Sequence, residues 1–268
     1  MLMRPSVGII MGKLSGRVAL VTGSGRGIGR SIALACAREG ARVGLTARTL
    51  KQLDGVAGEI TAAGGEAFVL TADVMDGAAI KAMVAGMIDH FGRLDILFNN
   101  AGGSLGSAGQ LMPATHDDAL FENILFLNLT SAYYATRAAL PQMIKQDYGR
   151  IVFTGSEAGR RGGGFIAYSA AKAGMMGMTR ALAHQIPPTI TVNTLVPGWI
   201  NTDVLDFARL ARNWGVDEAA ARARVEGVNI QKRVLEPDEL APMAILLASD
   251  DGKGITGQEL CVDGGFKV

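Results

Sequence analysis

Tyr168 and Lys172 are four residues apart, in the segment Tyr-Ser-Ala-Ala-Lys. If this segment is helical, the phenol and the ammonium group are neighbours on one face of the helix. A tyrosine has a pKa of about 10, so it exchanges protons poorly near neutral pH unless a nearby cation stabilises the phenolate. The pair therefore points to proton-transfer chemistry, although a tyrosine and a lysine at this spacing most often belong to an ordinary amphipathic surface. The elements around the pair decide between these interpretations.

Short β-rich runs alternate with longer helical patterns along the chain. Strands joined by helix-length connections form parallel sheets with right-handed crossovers, so this order predicts a doubly wound α/β fold with helices on both faces. The sequence contains no repeat and no Pro/Ser-rich linker, which favours a single domain over residues 13–268. The predicted strands are 17–22, 42–46, 67–70, 94–98, 150–154 and 190–196.

Composition disfavours several classes of function. The formal charge is +1 over 268 residues, and no segment concentrates Lys or Arg as a nucleic-acid-binding surface would. Cys36 and Cys261 are the only cysteines, too few for a disulfide framework or a cysteine-based metal site. We therefore expect no metal and a reducing, cytoplasmic compartment. The most apolar internal stretch, 123–140, contains polar residues and an arginine, which disfavours a membrane span.

The first residues of the chain do not fit the pattern of the fold. Residues 1–12 lack the uninterrupted apolar core and the cleavage site of a signal peptide. We expect them to form a disordered extension, with Met11 as an alternative start.

A glycine-rich stretch follows the first predicted strand. It reads Thr-Gly-Ser-Gly-Arg-Gly-Ile-Gly from Thr22 to Gly29. In doubly wound sheets the ligand binds beyond the carboxyl ends of the strands, where glycines let the backbone approach a phosphate and the next helix offers its N-terminal amides. The spacing does not match the general G-x-G-x-x-G dinucleotide pattern, and such a turn could be only a tight connection. Its position between a strand and a helix favours phosphate binding.

Further motifs follow in a fixed order, and together they resemble the short-chain dehydrogenase/reductase family over nearly the whole chain. They include Asn-Asn-Ala-Gly at 99–102, Ser156, and Tyr168-x-x-x-Lys172. This resemblance implies a Rossmann-like fold with a mostly seven-stranded parallel sheet. The other matching positions are Asp73-Val74, Asn128, Pro197-Gly198, Thr256-Gly257-Gln258 and Asp263-Gly264-Gly265.

The resemblance assigns catalytic roles to four residues. Tyr168 is the acid/base that protonates the developing alkoxide, and Ser156 orients the carbonyl. Lys172 lowers the pKa of the tyrosine and holds the nicotinamide ribose. Asn128 is expected to interrupt its helix and hold a water that links Lys172 to solvent. The alternative for Asn128, a surface position on an amphipathic helix, is disfavoured by its apolar neighbours.

The same resemblance implies a cofactor site, whose preference depends on the end of the second strand. An acidic side chain there would bind the ribose hydroxyls of NAD and repel a 2′-phosphate. Ala47 and Arg48 occupy this place and Arg26 adds another cation, so the pattern favours NADP(H) over NAD(H). The alternative is that either arginine is an ordinary surface residue, and the position of Arg26 in the motif does not exclude NAD. The predicted cofactor-binding residues are Gly23, Ser24, Gly25, Arg26, Gly27, Ile28, Gly29, Arg48, Asp73, Val74, Asn100, Ala101, Gly102, Tyr168, Lys172, Pro197, Gly198, Ile200 and Thr202.

The substrate is expected under a less regular insertion at residues 199–233. Its apolar residues either line a pocket or pack a helix pair; they are Leu205, Phe207, Leu210 and Trp214. Ketoacyl reductases of the family use basic residues to receive an acidic carrier protein. The comparable positions here are Asp147 and Pro188-Thr189, which lack them.

Three functions follow from these observations. The first is an NADP(H)-dependent oxidoreductase that interconverts a ketone or aldehyde and an alcohol, similar to a 3-oxoacyl reductase or another carbonyl reductase. The second is an NAD(H)-dependent alcohol dehydrogenase of the same family. The third is a non-catalytic nucleotide-sensing or scaffold protein, which is disfavoured because none of the four catalytic residues is missing. We expect a small-molecule carbonyl or alcohol substrate, no nucleic acid, no membrane, and a homotetramer or homodimer formed through the helices that carry Asn128 and Tyr168.

Overall fold

A seven-stranded parallel sheet organises the chain. The computed structural model describes residues 12–104, 117–162 and 165–267, so nearly all of the predicted N-terminal extension, with Met11, lies outside the described residues. The strand order is β3-β2-β1-β4-β5-β6-β7, with every neighbouring pair parallel, which confirms the doubly wound fold. The strands are β1 (Val18–Thr22), β2 (Arg42–Ala47), β3 (Ala67–Thr71), β4 (Ile96–Asn99), β5 (Gly149–Thr154), β6 (Ile190–Pro197) and β7 (Glu259–Val262).

Helices cover both faces of this sheet. A π-helical turn, Phe126–Thr130, joins two of them into one continuous helical rod. No helix within the described ranges is both long enough and apolar enough to span a membrane. The helices are α1 (Gly27–Arg38), α2 (Leu50–Ala62), α3 (Gly77–Phe91), α4 (Asp118–Leu125), α5 (Ser131–Lys145), α6 (Glu157–Arg161), α7 (Ile166–Gln185), α8 (Phe207–Trp214), α9 (Glu218–Gly227) and α10 (Ala241–Ala248).

The strands are apolar on both sides because two hydrophobic cores enclose the sheet. All five residues of β1 are buried. Successive side chains of a strand point to opposite faces, so Val21 packs with α1, α2 and α10, whereas Leu20 packs with α3, α5 and α7. Burial on both faces explains why the central strands lack a regular alternation of polar and apolar residues.

The observed strand boundaries differ from the predicted ones where the run of apolar residues does not coincide with the strand. Strand β4 begins at Ile96, two residues later than predicted. Leu94 is buried in the core without belonging to the strand, so its apolar side chain extended the predicted run. Strand β7 is not among the predicted runs, because it is a short edge strand whose residues are only partly buried. The insertion predicted to be less regular contains α8 and α9.

The strand order places a crevice between β1 and β4. The chain leaves these two adjacent strands in opposite directions, and ligands of doubly wound folds bind at such a point, beyond the carboxyl ends of the strands. Thr22 and Asn99 end the two strands. The crevice between them is lined by Thr22, Val74, Asn99, Ala101, Ser131, Ala132 and Ala135. The helices and turns around this edge therefore hold the candidate site.

Candidate active site

Ser156 and Tyr168 meet beyond the carboxyl end of β5. Ser156 caps α6, where its Oγ accepts a hydrogen bond from the backbone N–H of Ala158 at 3.2 Å. Tyr168 lies in the first turn of α7. Burial raises the pKa of Tyr168 above its ordinary value, while a side-chain hydrogen bond with Ser156 acts to lower it. The structure thus brings together the predicted acid/base and the predicted carbonyl-orienting hydroxyl.

Lys172 lies one turn further along α7 and is buried beneath the site. Its Nζ donates a hydrogen bond to the carbonyl oxygen of Thr154 at 2.7 Å and is 5.6 Å from the centre of the Tyr168 ring. The lysine is only 3% exposed, and this burial lowers its pKa to about 8. An ammonium group has three N–H donors. In the described part of the chain Nζ has this one hydrogen-bond acceptor, so further donors are left for a ligand.

The direction of the tyrosine pKa differs from the sequence prediction. Lys172 was expected to lower it, whereas burial outweighs the hydrogen bond with Ser156 and the pKa of Tyr168 is raised. Desolvation disfavours the charged form of both groups. The phenolate is therefore harder to form here than the spacing alone suggests.

Asn128 lies in the π-helical turn and is fully buried, so the surface interpretation is wrong. Its Nδ2 donates to the carbonyl oxygens of Gly103 at 2.8 Å and Ile124 at 2.9 Å, and its Oδ1 accepts from the N–H of Gly103 at 2.9 Å. Both amide hydrogens are therefore used by the backbone. This side chain fixes the segment after β4, and its role in holding a water stays a prediction.

The glycine-rich turn requires glycine for steric reasons. Gly23 and Gly27 have φ values of +68° and +54°, which favour glycine. A Cβ on Gly29 would lie 2.3 Å from the carbonyl oxygen of Gly23. Arg26 precedes α1 without a side-chain cap, so the N-terminal amides of α1 lack a capping side chain. Ile28 packs against the core and so anchors the glycine-rich turn, residues 22–29, which we call the phosphate cradle.

Several predicted cofactor residues use their side chains to hold the cradle together. Asn100 donates from Nδ2 to the carbonyl oxygen of Thr22 at 3.0 Å, and the Thr22 hydroxyl accepts from the backbone N–H of both Asn100 and Ala101. Ser24 is buried and its Oγ accepts from the N–H of Thr46 at 2.9 Å. Thr22 is a residue that the sequence analysis did not single out for this role.

The end of β2 presents exposed groups beside the glycine-rich turn. Arg48 is exposed and has no hydrogen-bond or ion-pair partner in the part of the chain that the structure describes. A Cβ on Gly25 would lie 3.0 Å from the Cβ of Gln52 and 3.6 Å from that of Ala47. Gln52, which the sequence analysis missed, therefore lies next to the predicted ribose position. Arg26 forms an ion pair with Asp203 instead of standing free.

Two predicted residues after β3 serve the crevice in different ways. The Oδ1 of Asp73 accepts a hydrogen bond from the N–H of Met75 at 2.9 Å, so this carboxylate shapes its own turn. Val74 lines the crevice between β1 and β4.

The backbone at Gly102, after β4, lies close to two predicted catalytic residues. A Cβ on Gly102 would lie 2.7 Å from Oδ1 of Asn128 and 3.4 Å from Nζ of Lys172.

The segment after β6 lies against the other side of the cradle. Pro197 ends the strand, and a Cβ on Gly198 would lie 2.8 Å from the carbonyl oxygen of Asp263. Ile200 forms a bridge with Leu235. A Cβ on Gly27 would lie 3.1 Å from the methyl group of Thr202.

Helices α8 and α9 pack against each other in the insertion. The guanidinium of Arg222 is 4.2 Å from the ring centre of Phe207, and that of Arg224 is 4.5 Å from the ring of Trp214. These contacts favour the helix-pair interpretation for the two aromatic residues.

A cluster that sequence spacing does not reveal lies beside α6. Glu157, Cys261 and Asp263 place ligand atoms within 4.8 Å of one another. Arg160 donates to Sγ of Cys261 at 2.8 Å and to Oε1 of Glu157 at 3.1 Å. Burial raises the pKa of the Cys261 thiol to about 11. The guanidinium thus balances the negative charge of this cluster.

Comparison with known proteins identifies the chain. The family model described as short chain dehydrogenase matches residues 17–213. This protein belongs to the short-chain dehydrogenase family. The match covers the glycine-rich turn and all four predicted catalytic residues, and it agrees with the strand order described above. The protein is therefore an oxidoreductase with a nucleotide-binding Rossmann-like fold.

Similar proteins include two enzymes named for acyl substrates and one solved ketoreductase. One is a 3-oxoacyl-[acyl-carrier-protein] reductase of Synechocystis sp., 36% identical over 269 residues, covering 96% of this chain and 99% of the relative. Another is the (2S)-[(R)-hydroxy(phenyl)methyl]succinyl-CoA dehydrogenase subunit BbsD of Thauera aromatica, 36% identical over 255 residues, covering 94% and 97%. A crystal structure of an actinorhodin polyketide ketoreductase variant with NADPH superposes with a TM-score of 0.86 at 34% identity, covering 94% of this chain and 97% of that one.

The residues of the cradle fit an NAD(P) cofactor. The uncapped start of α1 and the close approach at Gly29 suit a pyrophosphate, and the spare N–H donors of buried Lys172 suit ribose hydroxyls. These groups are the candidate contacts of a dinucleotide in this chain.

Replacing Lys172 with methionine should stabilise the folded protein at neutral pH. The ordinary pKa of 10.5 falls to about 8, so the charged lysine costs about 3 kcal/mol below pH 8. The lost bond to Thr154 offsets part of this gain, so we expect Lys172→Met to raise the free energy of unfolding at pH 7 by about 1–2 kcal/mol.

The stability difference between Lys172→Met and the wild type should depend on pH. Between about pH 8 and 10.5 the unfolded wild-type protein binds more protons than the folded one, so its stability rises with pH and the advantage of the variant shrinks. Urea unfolding at pH 7, 8.5 and 10 measures this. Lys81→Met, at an exposed position of α3, should show no such trend. A stability difference that is independent of pH would contradict the low pKa of Lys172.

Proposed function

We propose that this protein is an NADP(H)-dependent oxidoreductase that interconverts a ketone or aldehyde with an alcohol. The observation that carries this proposal is the buried Lys172, held under Tyr168 at the carboxyl edge of the sheet with hydrogen-bond donors to spare. A surface pair would be solvated and would not shift the lysine pKa to about 8. A role limited to nucleotide sensing is disfavoured because it does not require Ser156 beside Tyr168.

In the proposed mechanism Ser156 and Tyr168 act on the carbonyl oxygen of the substrate, and Lys172 acts on Tyr168. The nicotinamide, when bound, supplies or accepts the hydride. In reduction, Ser156 donates a hydrogen bond to the carbonyl oxygen, and Tyr168 transfers its proton to the same oxygen as negative charge develops there. Tyr168 is a protonated phenol at neutral pH, but burial raises its pKa, so proton transfer from it depends on stabilisation of the phenolate. Lys172, with a pKa of about 8, favours the phenolate that remains.

Two further residues keep this geometry in place. Asn128 holds both backbone groups of Gly103, so the segment after β4 cannot move away from Lys172. Thr154 accepts the hydrogen bond from Nζ and fixes the ammonium group below the phenol. We propose that both act by positioning and do not touch the substrate.

The preference for NADP(H) rests on the groups at the end of β2. Ala47 leaves no carboxylate there to repel a 2′-phosphate, and Arg48 is an exposed cation without a partner among the described residues. The similar ketoreductase structure contains NADPH. An NAD(H)-dependent dehydrogenase is the second candidate, because Arg26 is paired with Asp203 and is less available to a phosphate.

We propose a substrate that is not carried by a protein. The relatives named above include a reductase of a carrier-bound 3-oxoacyl group and a dehydrogenase of an acyl-CoA. At the position comparable to a carrier-docking base, this chain has Asp147, whose Oδ1 accepts a hydrogen bond from the Thr189 hydroxyl at 2.8 Å. An exposed carboxylate there would repel an acidic carrier protein. A 3-oxoacyl-CoA or a free carbonyl compound therefore fits better.

Two expectations about the setting of the enzyme also remain proposals. Both cysteines are free, which agrees with a reducing, cytoplasmic compartment. Tyr133 and Ile144 are three helical turns apart on the same exposed face of α5, with 42% and 51% of their surface accessible. Apolar side chains on one face suit an interface between copies of the chain, so we propose a homodimer or homotetramer.

Replacing the phenol tests the catalytic assignment. Tyr168→Phe removes the proton donor, and we expect a fall in kcat of about 10²–10⁴-fold while NADPH binding changes little. The measurement follows NADPH oxidation with a panel of 3-oxoacyl-CoA esters, ketones and aldehydes, alongside a binding titration. Tyr133→Phe removes the same hydroxyl from an exposed tyrosine outside the site and should retain full activity. Activity of Tyr168→Phe within a few-fold of wild type would exclude the proposed acid.

Replacing Arg48 tests the cofactor preference. A charge-assisted bond to the 2′-phosphate is worth about 1.5–3 kcal/mol, so Arg48→Ala should weaken NADPH binding by roughly ten- to a hundredfold and leave NADH binding unchanged. Titrations of nicotinamide fluorescence give both constants. Arg38→Ala, at the opposite end of α1, removes an equal charge as a control. Tighter binding of NADH than NADPH by the wild type would move the second candidate to the front.

Adding charge to the exposed face of α5 tests the assembly. We expect the double variant Tyr133→Glu and Ile144→Glu to have a lower molar mass than the wild type by light scattering after size-exclusion chromatography, because buried carboxylates oppose association. Leu50→Glu, at an exposed apolar position on α2, should keep the wild-type mass. A monomeric wild type would rule out the proposed assembly.

A further inference from the structure

Asp203 lies where the segment after β6 meets the glycine-rich turn. Its Oδ2 is 3.2 Å from Nη1 of Arg26, and the two side chains are 71% and 57% exposed. The two residues are 177 positions apart in the chain, so the ion pair joins the predicted substrate cover to the predicted phosphate cradle.

The backbone around Asp203 holds its carboxylate at this place. The N–H of Asn201 donates to the carbonyl oxygen of Leu235 at 2.8 Å, and the side chain of Asn201 donates to Glu236 at 2.9 Å. A turn follows, in which the N–H of Leu205 donates to the carbonyl oxygen of Thr202 at 2.9 Å. The methyl group of Thr202 packs against Gly27. Asp203 is thus presented to Arg26 by an anchored segment.

Arg26 has two possible anionic partners. The sequence pattern makes it, with Arg48, one of two cations that favour the 2′-phosphate of NADP(H). A guanidinium bonded to a carboxylate must give up that bond, or share it, when it turns to a phosphate. NAD(H) has no 2′-phosphate and makes no such demand on Arg26.

We propose that Asp203 is a cofactor-specificity residue that weakens the binding of NADP(H) relative to NAD(H) by competing for Arg26. This inference rests on the proposed function, because it needs the dinucleotide in the cradle. Arg48 has no competing partner among the described residues and supplies the main preference, so Asp203 moderates that preference without reversing it. Exposed ion pairs contribute little, and the expected effect is therefore roughly two- to fivefold.

The test is a pair of fluorescence titrations with NADPH and NADH. Asp203→Asn keeps the size of the side chain and removes its charge. We expect the Kd for NADPH to fall about two- to fivefold and the Kd for NADH to stay within about 1.5-fold. The gain should shrink at high ionic strength, because the pair is exposed.

Asp206→Asn is the matched control. Asp206 is three residues away and caps α8, where its Oδ1 accepts a hydrogen bond from Arg209, and asparagine serves equally well as an N-cap. The control therefore removes the same charge from the same segment without breaking the contact with Arg26. We expect both cofactor affinities to stay within about 1.5-fold of wild type.

A double-mutant cycle shows whether the effect passes through Arg26. In an Arg26→Ala background, Asp203→Asn should change NADPH affinity by less than 1.5-fold, because the contested cation is gone. The same gain in both backgrounds would show a general charge effect and overturn the proposal.

The remaining outcomes separate this inference from the proposed function. Equal tightening of both cofactors, no change, or weaker NADPH binding in Asp203→Asn would overturn the role of Asp203 while wild-type NADPH binding still supported the enzyme. A wild type that binds neither cofactor would overturn the proposed function, and the inference with it.

Discussion

Burial of the Lys172 ammonium group is the constraint on which the rest of the site depends. Desolvation lowers its pKa to about 8, and the only hydrogen-bond acceptor for it in the described chain is the carbonyl oxygen of Thr154. A buried cation with unused donors lowers the stability of the folded protein, because its desolvation is not fully compensated. Such a group persists where it serves a ligand, so the position of this one lysine locates the chemistry.

The architecture explains how that position is maintained. Thr154 ends β5, Asn128 interrupts the helical rod beside it, and the glycine-rich turn ends β1. The parallel order of the strands brings all of these ends to one edge of the sheet. Side-chain amides hold the segment after β4, since Asn128 bonds the backbone of Gly103 and Asn100 bonds the carbonyl oxygen of Thr22. The site is consequently built on the ends of regular elements, and the more exposed segment after β6 contacts the glycine-rich turn through Thr202 and Asp203.

Sequence reasoning succeeds where the information is local and fails where it depends on distant partners. The alternation of strands and helices predicted the doubly wound fold, and the four-residue spacing of Tyr168 and Lys172 placed them on one helix, because both signals follow from backbone periodicity. The acceptor at Thr154, the pairing of Asn128 with Gly103 and the ion pair of Arg26 with Asp203 join segments whose relative placement is a tertiary property. No spacing rule reveals them.

Burial is the second kind of information that the sequence lacked. The pKa of Tyr168 was expected to be lowered by Lys172, yet desolvation of the phenol raises it. The resemblance implied a seventh strand, but the apolar pattern did not locate β7, since an edge strand with partly exposed side chains has a weak pattern.

The central claim is that Lys172 is buried, titrates near pH 8 and serves Tyr168. The most direct test is the pKa of this side chain, measured by NMR of selectively labelled lysine, with Lys172→Met used to assign its signal. We predict that Lys172 titrates near pH 8, well below the ordinary lysine value of about 10.5. A Lys172 that titrates together with the exposed lysines would show a solvated group and contradict the account.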